Sequence, residues 1–150
     1  MRVAAALREP PEPEIRGNVW WLARDAHGSR ALQRFLEHAV DDAARVTVLE
    51  ELRGHVWEAM CCPHANHVLQ KCITALRPQA LNFIFQEIFA VGPHAGCRAA
   101  RQTYSCRVLQ RLLGHCPPAQ LRPLVDDLLN EAVELSRHRF GSYVMQRLME

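Results

Sequence analysis

The sequence predicts an all-α protein, an α-solenoid of about four three-helix repeats with one helix of each repeat lining a common face. Three observations predict it. A ten-residue pattern recurs four times, as GSRALQRFLE (28–37), ANHVLQKCIT (65–74), SCRVLQRLLG (105–114) and GSYVMQRLME (141–150). Asn66 follows Ser29 by 37 residues, Cys106 follows Asn66 by 40 and Ser142 follows Cys106 by 36, so the period is one supersecondary unit. No segment alternates apolar and polar residues as a half-buried strand does.

In chain order, residues 1–16 read as a flexible lead-in rich in Pro and Glu. The repeats are expected at about 17–53, 54–91, 92–130 and 131–150, the last incomplete. Each opens with a short apolar helix, as in NVWWLARDA or HVWEAM. Gly17-Asn18-Val19-Trp20 lies 37 residues before Gly54-His55-Val56-Trp57, in the same register as the later pattern. The recurring pattern is the second helix. A third follows a turn, as in 78–90 and 118–133, with Pro78 and Pro118 where proline suits a first helical turn. Two imperfections stand out: the first helix of repeat three, AGCRAARQT, is weakly apolar, and extra residues near 91–94 explain the 40-residue spacing.

At about 100° per residue, Val108, Leu109, Leu112 and Leu113 share one buried face of the second helix. Cys106 and Gln110 lie side by side on the other face, with Arg107 and Arg111 beside them. One amphipathic helix with a solvated face would tolerate Glu or Lys in place of Gln. Gln instead stands in all four: Gln33, Gln70, Gln110 and Gln146. Its amide offers both a donor and an acceptor. Arg30, His67, Arg107 and Tyr143 share a flat group able to stack on a nucleobase. A ladder of amides alternating with flat groups suits a single-stranded nucleic acid with splayed bases. A base follows every Gln: Arg34, Lys71, Arg111 and Arg147 are candidate phosphate contacts, or partners for acidic neighbours.

Composition permits this without demanding it. The 150 residues are 49% hydrophobic, enough for a sizeable core, and the formal net charge is only +2. No apolar run reaches the roughly 18 residues of a membrane span. The N-terminal apolar stretch is short for a secretory signal, so the expected location is cytoplasmic or nuclear, with six reduced cysteines. Cys61, Cys62, His64, His67 and Cys72 crowd together without zinc-ligand spacing, so no metal and no cofactor is expected. The His and Cys residues form no recognisable nucleophile–base pair, so no catalytic residue and no enzymatic activity is expected.

SRALQ, NHVLQKCI, CRVLQRLLGHC and SYVMQ, with GHVWEAM and PQALNFIFQEI, closely resemble the Pumilio/PUF family of RNA-binding repeat proteins over about residues 17–150. The four units look like the third to sixth of the family's usual eight. The resemblance implies a right-handed, armadillo-like superhelix that binds single-stranded RNA on its concave face, one base per repeat, antiparallel to the chain. Counting Ser29, Asn66, Cys106 and Ser142 as the first pattern residues, it implies that the first and fifth contact the base edge and the second stacks between bases. Carried over, Asn66 with Gln70 should read uracil, and Cys106 with Gln110 and Ser29 with Gln33 should read adenine. Ser142 with Gln146 departs from the family's usual Asn and leans to adenine, giving a core of 5′-(A/U)AUA-3′. Family members bind mRNA 3′ untranslated regions and repress or destabilise the message through recruited protein effectors.

The alternative is a helical-repeat scaffold that binds protein, with a vestigial ladder. Four repeats without visible caps read as a fragment, an incomplete gene model or a degenerate relative.

Overall fold

The computed structural model describes residues 14–150; the lead-in expected over 1–16 lies, for residues 1–13, outside the described residues. Among the described residues every regular element is a helix. Repeat one holds α1 (Val19–Ala23), α2 (Ala26–His38) and α3 (Asp42–Glu51). Repeat two holds α4 (Val56–Cys61), α5 (Ala65–Ala75) and, after a 3₁₀ turn opened by Pro78, α6 (Asn82–Ala90). Repeat three holds α7 (Ala95–Ala100), α8 (Ser105–His115) and α9 (Pro118–Asn130), and α10 (Ala132–Arg137) and α11 (Gly141–Met149) follow. The last third helix is shorter than the expected 118–133. Glu131 leaves helical geometry at φ −124° and ψ 34°, and Val133 falls in α10.

The second helices α2, α5, α8 and α11 pack side by side in chain order. Their apolar faces merge into one core, in which Leu32, Leu69, Leu109 and Leu112 are fully buried. Removing such side chains from water is the dominant favourable term holding the repeats together. The weakly apolar helix of repeat three is core too: Ala95, Gly96, Cys97, Ala99 and Ala100 are all buried. Its contribution is smallness rather than hydrophobicity. A Cβ on Gly96 would lie 2.5 Å from Asp127 Oδ2 and 2.9 Å from Leu124 Cδ1, so the bare position gives these two α9 side chains their room.

A carboxylate on the third helix ties down the first helix of the same repeat. Glu51 accepts from the Gly17 and Val19 amides at 3.0 and 3.3 Å. Glu87 accepts from Gly54 at 2.9 Å and Val56 at 3.2 Å, and Asp127 accepts from Cys97 at 3.2 Å. Negative charge suits the unpaired amides at a helix N-terminus. The chain enters these helices through left-handed backbone at Gly17 (φ 82°), Gly54 (φ 88°) and His94 (φ 59°), which share one register position. No helix among the described residues is long and apolar enough to cross a membrane.

Candidate nucleic-acid interface

The position before each first pattern residue is small because the second helix meets the first helix's backbone there. A Cβ on Gly28 would fall 2.8 Å from Leu22 Cα, and one on Gly141 would fall 2.8 Å from the Leu135 carbonyl oxygen. Ala65 and Ser105 fill the same place and are fully buried. Four residues ahead of each first pattern residue stands a side chain that accepts from the opening amides of the second helix. Asp25 Oδ2 accepts from Gly28 at 2.8 Å, and Cys62 Sγ from Ala65 at 3.4 Å. Gln102 Oε1 accepts from Ser105 at 2.7 Å, and His138 Nδ1 from Gly141 at 3.2 Å. A carboxylate, a thiol, an amide and an imidazole thus perform one capping task. The sequence pattern hides this cap; only the constant offset betrays it.

On the pattern itself, the flat residues Arg30, His67, Arg107 and Tyr143 are all exposed. The first residues are not: Ser29 is 2% exposed, Asn66 0% and Cys106 3%, and only Ser142 is half-buried. The helical wheel placed Cys106 on the free face beside Arg107. The structure buries it, with its thiol donating to the Thr103 carbonyl at 3.2 Å just ahead of its own helix.

Burial fixes what the glutamines present. Asn66 Nδ2 donates to the Cys62 carbonyl at 2.6 Å, so its Oδ1 faces Gln70 and accepts from Gln70 Nε2 at 2.9 Å. Ser29 Oγ donates to the His64 carbonyl at 2.9 Å and accepts from Gln33 Nε2 at 3.1 Å. Gln110 Nε2 donates to the Cys106 carbonyl at 3.2 Å. All three amides are therefore held nitrogen inward; Gln33 and Gln110 keep Oε1 and one N–H for a ligand, while Gln70 Oε1 already accepts one bond from Arg111. Ser142 donates to the Arg139 carbonyl at 3.3 Å, and Gln146 is exposed.

The bases after the glutamines diverge. Lys71 pairs with Glu37 of the preceding repeat at 2.6 Å, and its ammonium holds that carboxyl below the usual carboxylate range. Arg111 Nε donates to Gln70 Oε1 at 3.2 Å. Arg147 pairs with Glu150 at 2.8 Å and lies over Gly114, where an added Cβ would meet its Nε at 2.9 Å. Arg34 is exposed and has no ion-pair partner among the described residues.

One open cleft of about 510 Å³ gathers these groups across α5, α8 and α11. His67, Gln70, Arg107, Gln110, Arg111, Tyr143, Gln146, Arg147 and Glu150 line it. His67 is held below its ordinary value, first by desolvation and then by the Arg107 guanidinium, so it is a neutral flat ring at pH 7. The cysteines are packing groups. All six are free thiols, and burial pushes Cys72 up to about 12 and Cys116 up to about 11. Among the described residues no three His, Cys, Asp or Glu side chains are placed to hold a metal ion.

Comparison with known proteins covers most of the chain. The Pumilio-family RNA binding repeat matches residues 18–53 and 55–89, and the NOP9-like PUF repeat domain matches 97–150. Pumilio homolog 12 of Arabidopsis thaliana is 31% identical over 129 residues, which is 86% of this chain and 21% of that protein. Pumilio homology domain family member 4 of Saccharomyces cerevisiae is 33% identical over 109 residues, 73% of this chain and 12% of that one. Among solved structures, PUF-8 in complex with PBE-RNA superposes with a TM-score of 0.85 at 27% identity, over 90% of this chain and 38% of that one. The Puf4 RNA binding domain bound to the HO endonuclease RNA 3′ UTR recognition sequence gives 0.78 at 32% identity, over 90% and 41%. The chain thus spans about a fifth or less of these curated relatives and about two fifths of the solved chains.

Proposed function

Because the chain belongs to the Pumilio/PUF family of RNA-binding repeat proteins, we propose that its row of second helices binds single-stranded RNA, one base per repeat. The observation that carries the reading is the cleft, which collects glutamine amides and flat side chains from three successive repeats onto one surface. Bases insert between Arg30, His67, Arg107 and Tyr143, each stack worth about 1–3 kcal/mol. A glutamine held nitrogen inward accepts from adenine N6 or uracil N3 through Oε1 and donates its free N–H to the adjoining acceptor.

The first pattern residues form the floor beneath each base. Cys106 and Ser29 are small and leave depth for adenine with Gln110 and Gln33. Asn66, buried and bonded to Gln70 Nε2, holds the amide that reads uracil, and Ser142 with Gln146 reads the remaining base, adenine or uracil. The predicted core is 5′-(A/U)AUA-3′. The solved Puf4 complex with a 3′ UTR sequence supports the same class of target here, an mRNA 3′ untranslated region. Post-transcriptional repression in the cytoplasm, through protein effectors on the outer face, completes the proposal. No catalytic step belongs to it.

Fluorescence anisotropy with short RNAs containing AAUA or UAUA, against scrambled controls, tests the reading. Tighter binding of the matched RNAs is expected, and equal affinity for all sinks base reading. Replacing Cys106 with Ser and Gln110 with Glu should switch that position from adenine to guanine, since a carboxylate accepts from guanine's donor edge. The burial of Ser29, Asn66 and Cys106 favours the second reading, a protein-binding scaffold whose ladder is vestigial. That reading predicts the flat RNA panel.

A further inference from the structure

We propose that Arg111 is a cross-repeat positioning residue: it fixes the amide of Gln70 and thereby sets the base that repeat two accepts. The inference rests on the RNA reading above and deepens it at one position. Amide orientation is usually ambiguous, because the nitrogen and oxygen of Asn and Gln exchange places at little cost. Here the chain of bonds has two ends that admit only one direction. At one end the Cys62 carbonyl can only accept, and it takes the Asn66 Nδ2 hydrogen at 2.6 Å. Asn66 Oδ1 must then accept, so Gln70 offers Nε2, at 2.9 Å. At the other end a guanidinium can only donate, and Arg111 Nε meets Gln70 Oε1 at 3.2 Å. Every donor points the same way, from repeat three into repeat two. Gln70 is the one reader clamped on both its nitrogen and its oxygen.

The preceding repeat decides where each following cation goes. Eight residues after the first pattern residue stand Glu37, Thr74 and Gly114. Glu37 captures Lys71, and Gly114 leaves room for Arg147 to lie over the backbone and pair with Glu150. Thr74 offers no carboxylate, and its hydroxyl is turned to the Gln70 and Lys71 carbonyls at 3.3 Å. Arg111 is left to Gln70. A phosphate contact, the simpler role for a base at this position, predicts something different: loss of affinity whatever the sequence, and a smaller salt dependence.

The test varies the base facing Gln70 through all four nucleotides, and separately the base facing Gln110, in anisotropy titrations of the full chain. Two variants are compared with the parent. Arg111→Lys keeps the charge and loses the planar Nε donor. Thr74→Glu leaves Arg111 in place and supplies an acid where Glu37 stands one repeat earlier. Both positions are exposed, and equal thermal unfolding checks the fold. The expected result is a fall of about tenfold in base preference at the Gln70 position for Arg111→Lys, a same-sign fall for Thr74→Glu, and change within about twofold at the Gln110 position. Unchanged preference in Arg111→Lys, or an equal loss for every RNA, overturns the assignment while leaving base reading intact. A parent chain with no preference at any position removes the reading, and this inference with it. An RNA-free readout separates the two: the Gln70 side-chain amide signals in a ¹H–¹⁵N spectrum should move in both variants while those of Gln33 stay put. Signals that do not move overturn the proposal.

Discussion

The second helices of the first and last repeats are close to the same sequence, GSRALQRFLE and GSYVMQRLME, yet they live differently. Ser29 is buried and donates across to His64 of the next repeat, whereas Ser142 is half-buried and donates back to Arg139 in the turn before its own helix. Leu36 is 1% exposed, and Met149, at the same register position, is 81% exposed. Glu37 pairs across the interface with Lys71, and Glu150 pairs with Arg147 of its own helix. The difference teaches that the ten residues specify a helix and its polar ladder, while the following repeat supplies the surroundings that orient it.

The largest test of that contrast is truncation at the matched apolar position. Leu36→Ala should cost about 2–5 kcal/mol and Met149→Ala no more than about 0.5 kcal/mol, read from urea unfolding. Similar losses would mean the stack is not what buries Leu36. A smaller separation is expected at the serines. Ser29→Ala removes the bonds to the His64 carbonyl and from the Gln33 amide, although the His67 amide still donates to that carbonyl, and should cost about 1 kcal/mol, whereas Ser142→Ala should be close to neutral.

The smallest effect concerns charge. Lys71 lowers the Glu37 carboxyl in the folded chain, so the stability it brings is present above the unfolded glutamate range and fades as pH falls through the lowered folded value. In Lys71→Met the Glu37 carboxyl should titrate at higher pH by ¹³C NMR. An unmoved titration would show that this cross-repeat pair does not form in solution.

Most of the fold was legible because apolar spacing and period are carried by many residues at once. The glutamines and flat residues were legible too, since they recur at fixed offsets. What escaped was whatever depends on a neighbour. The wheel for Cys106 contained nothing but its own helix, so a residue it placed at the free face is 3% exposed and donates to the Thr103 carbonyl before that helix. The helix caps escaped because Asp25, Cys62, Gln102 and His138 share an offset and no chemistry. The first helix of repeat three forms where expected, but its packing does not show in its hydrophobicity, because Gly96 contributes by leaving room for Asp127 and Leu124. The end of α9 was misplaced because Val133 continues the apolar pattern after the backbone has turned at Glu131.

Glu37, Thr74 and Gly114 sit one turn beyond the readers, and each bears on the cation that follows in the next repeat: Glu37 pairs with Lys71, Gly114 makes room for Arg147, and Thr74 leaves Arg111 to Gln70. The array consequently has a grammar as well as an alphabet. An engineer who shuffles intact repeats to spell a new RNA word also changes which cation follows which spacer. Thr74 placed ahead of Lys71, or Glu37 ahead of Arg111, would give unchanged letters a new pronunciation.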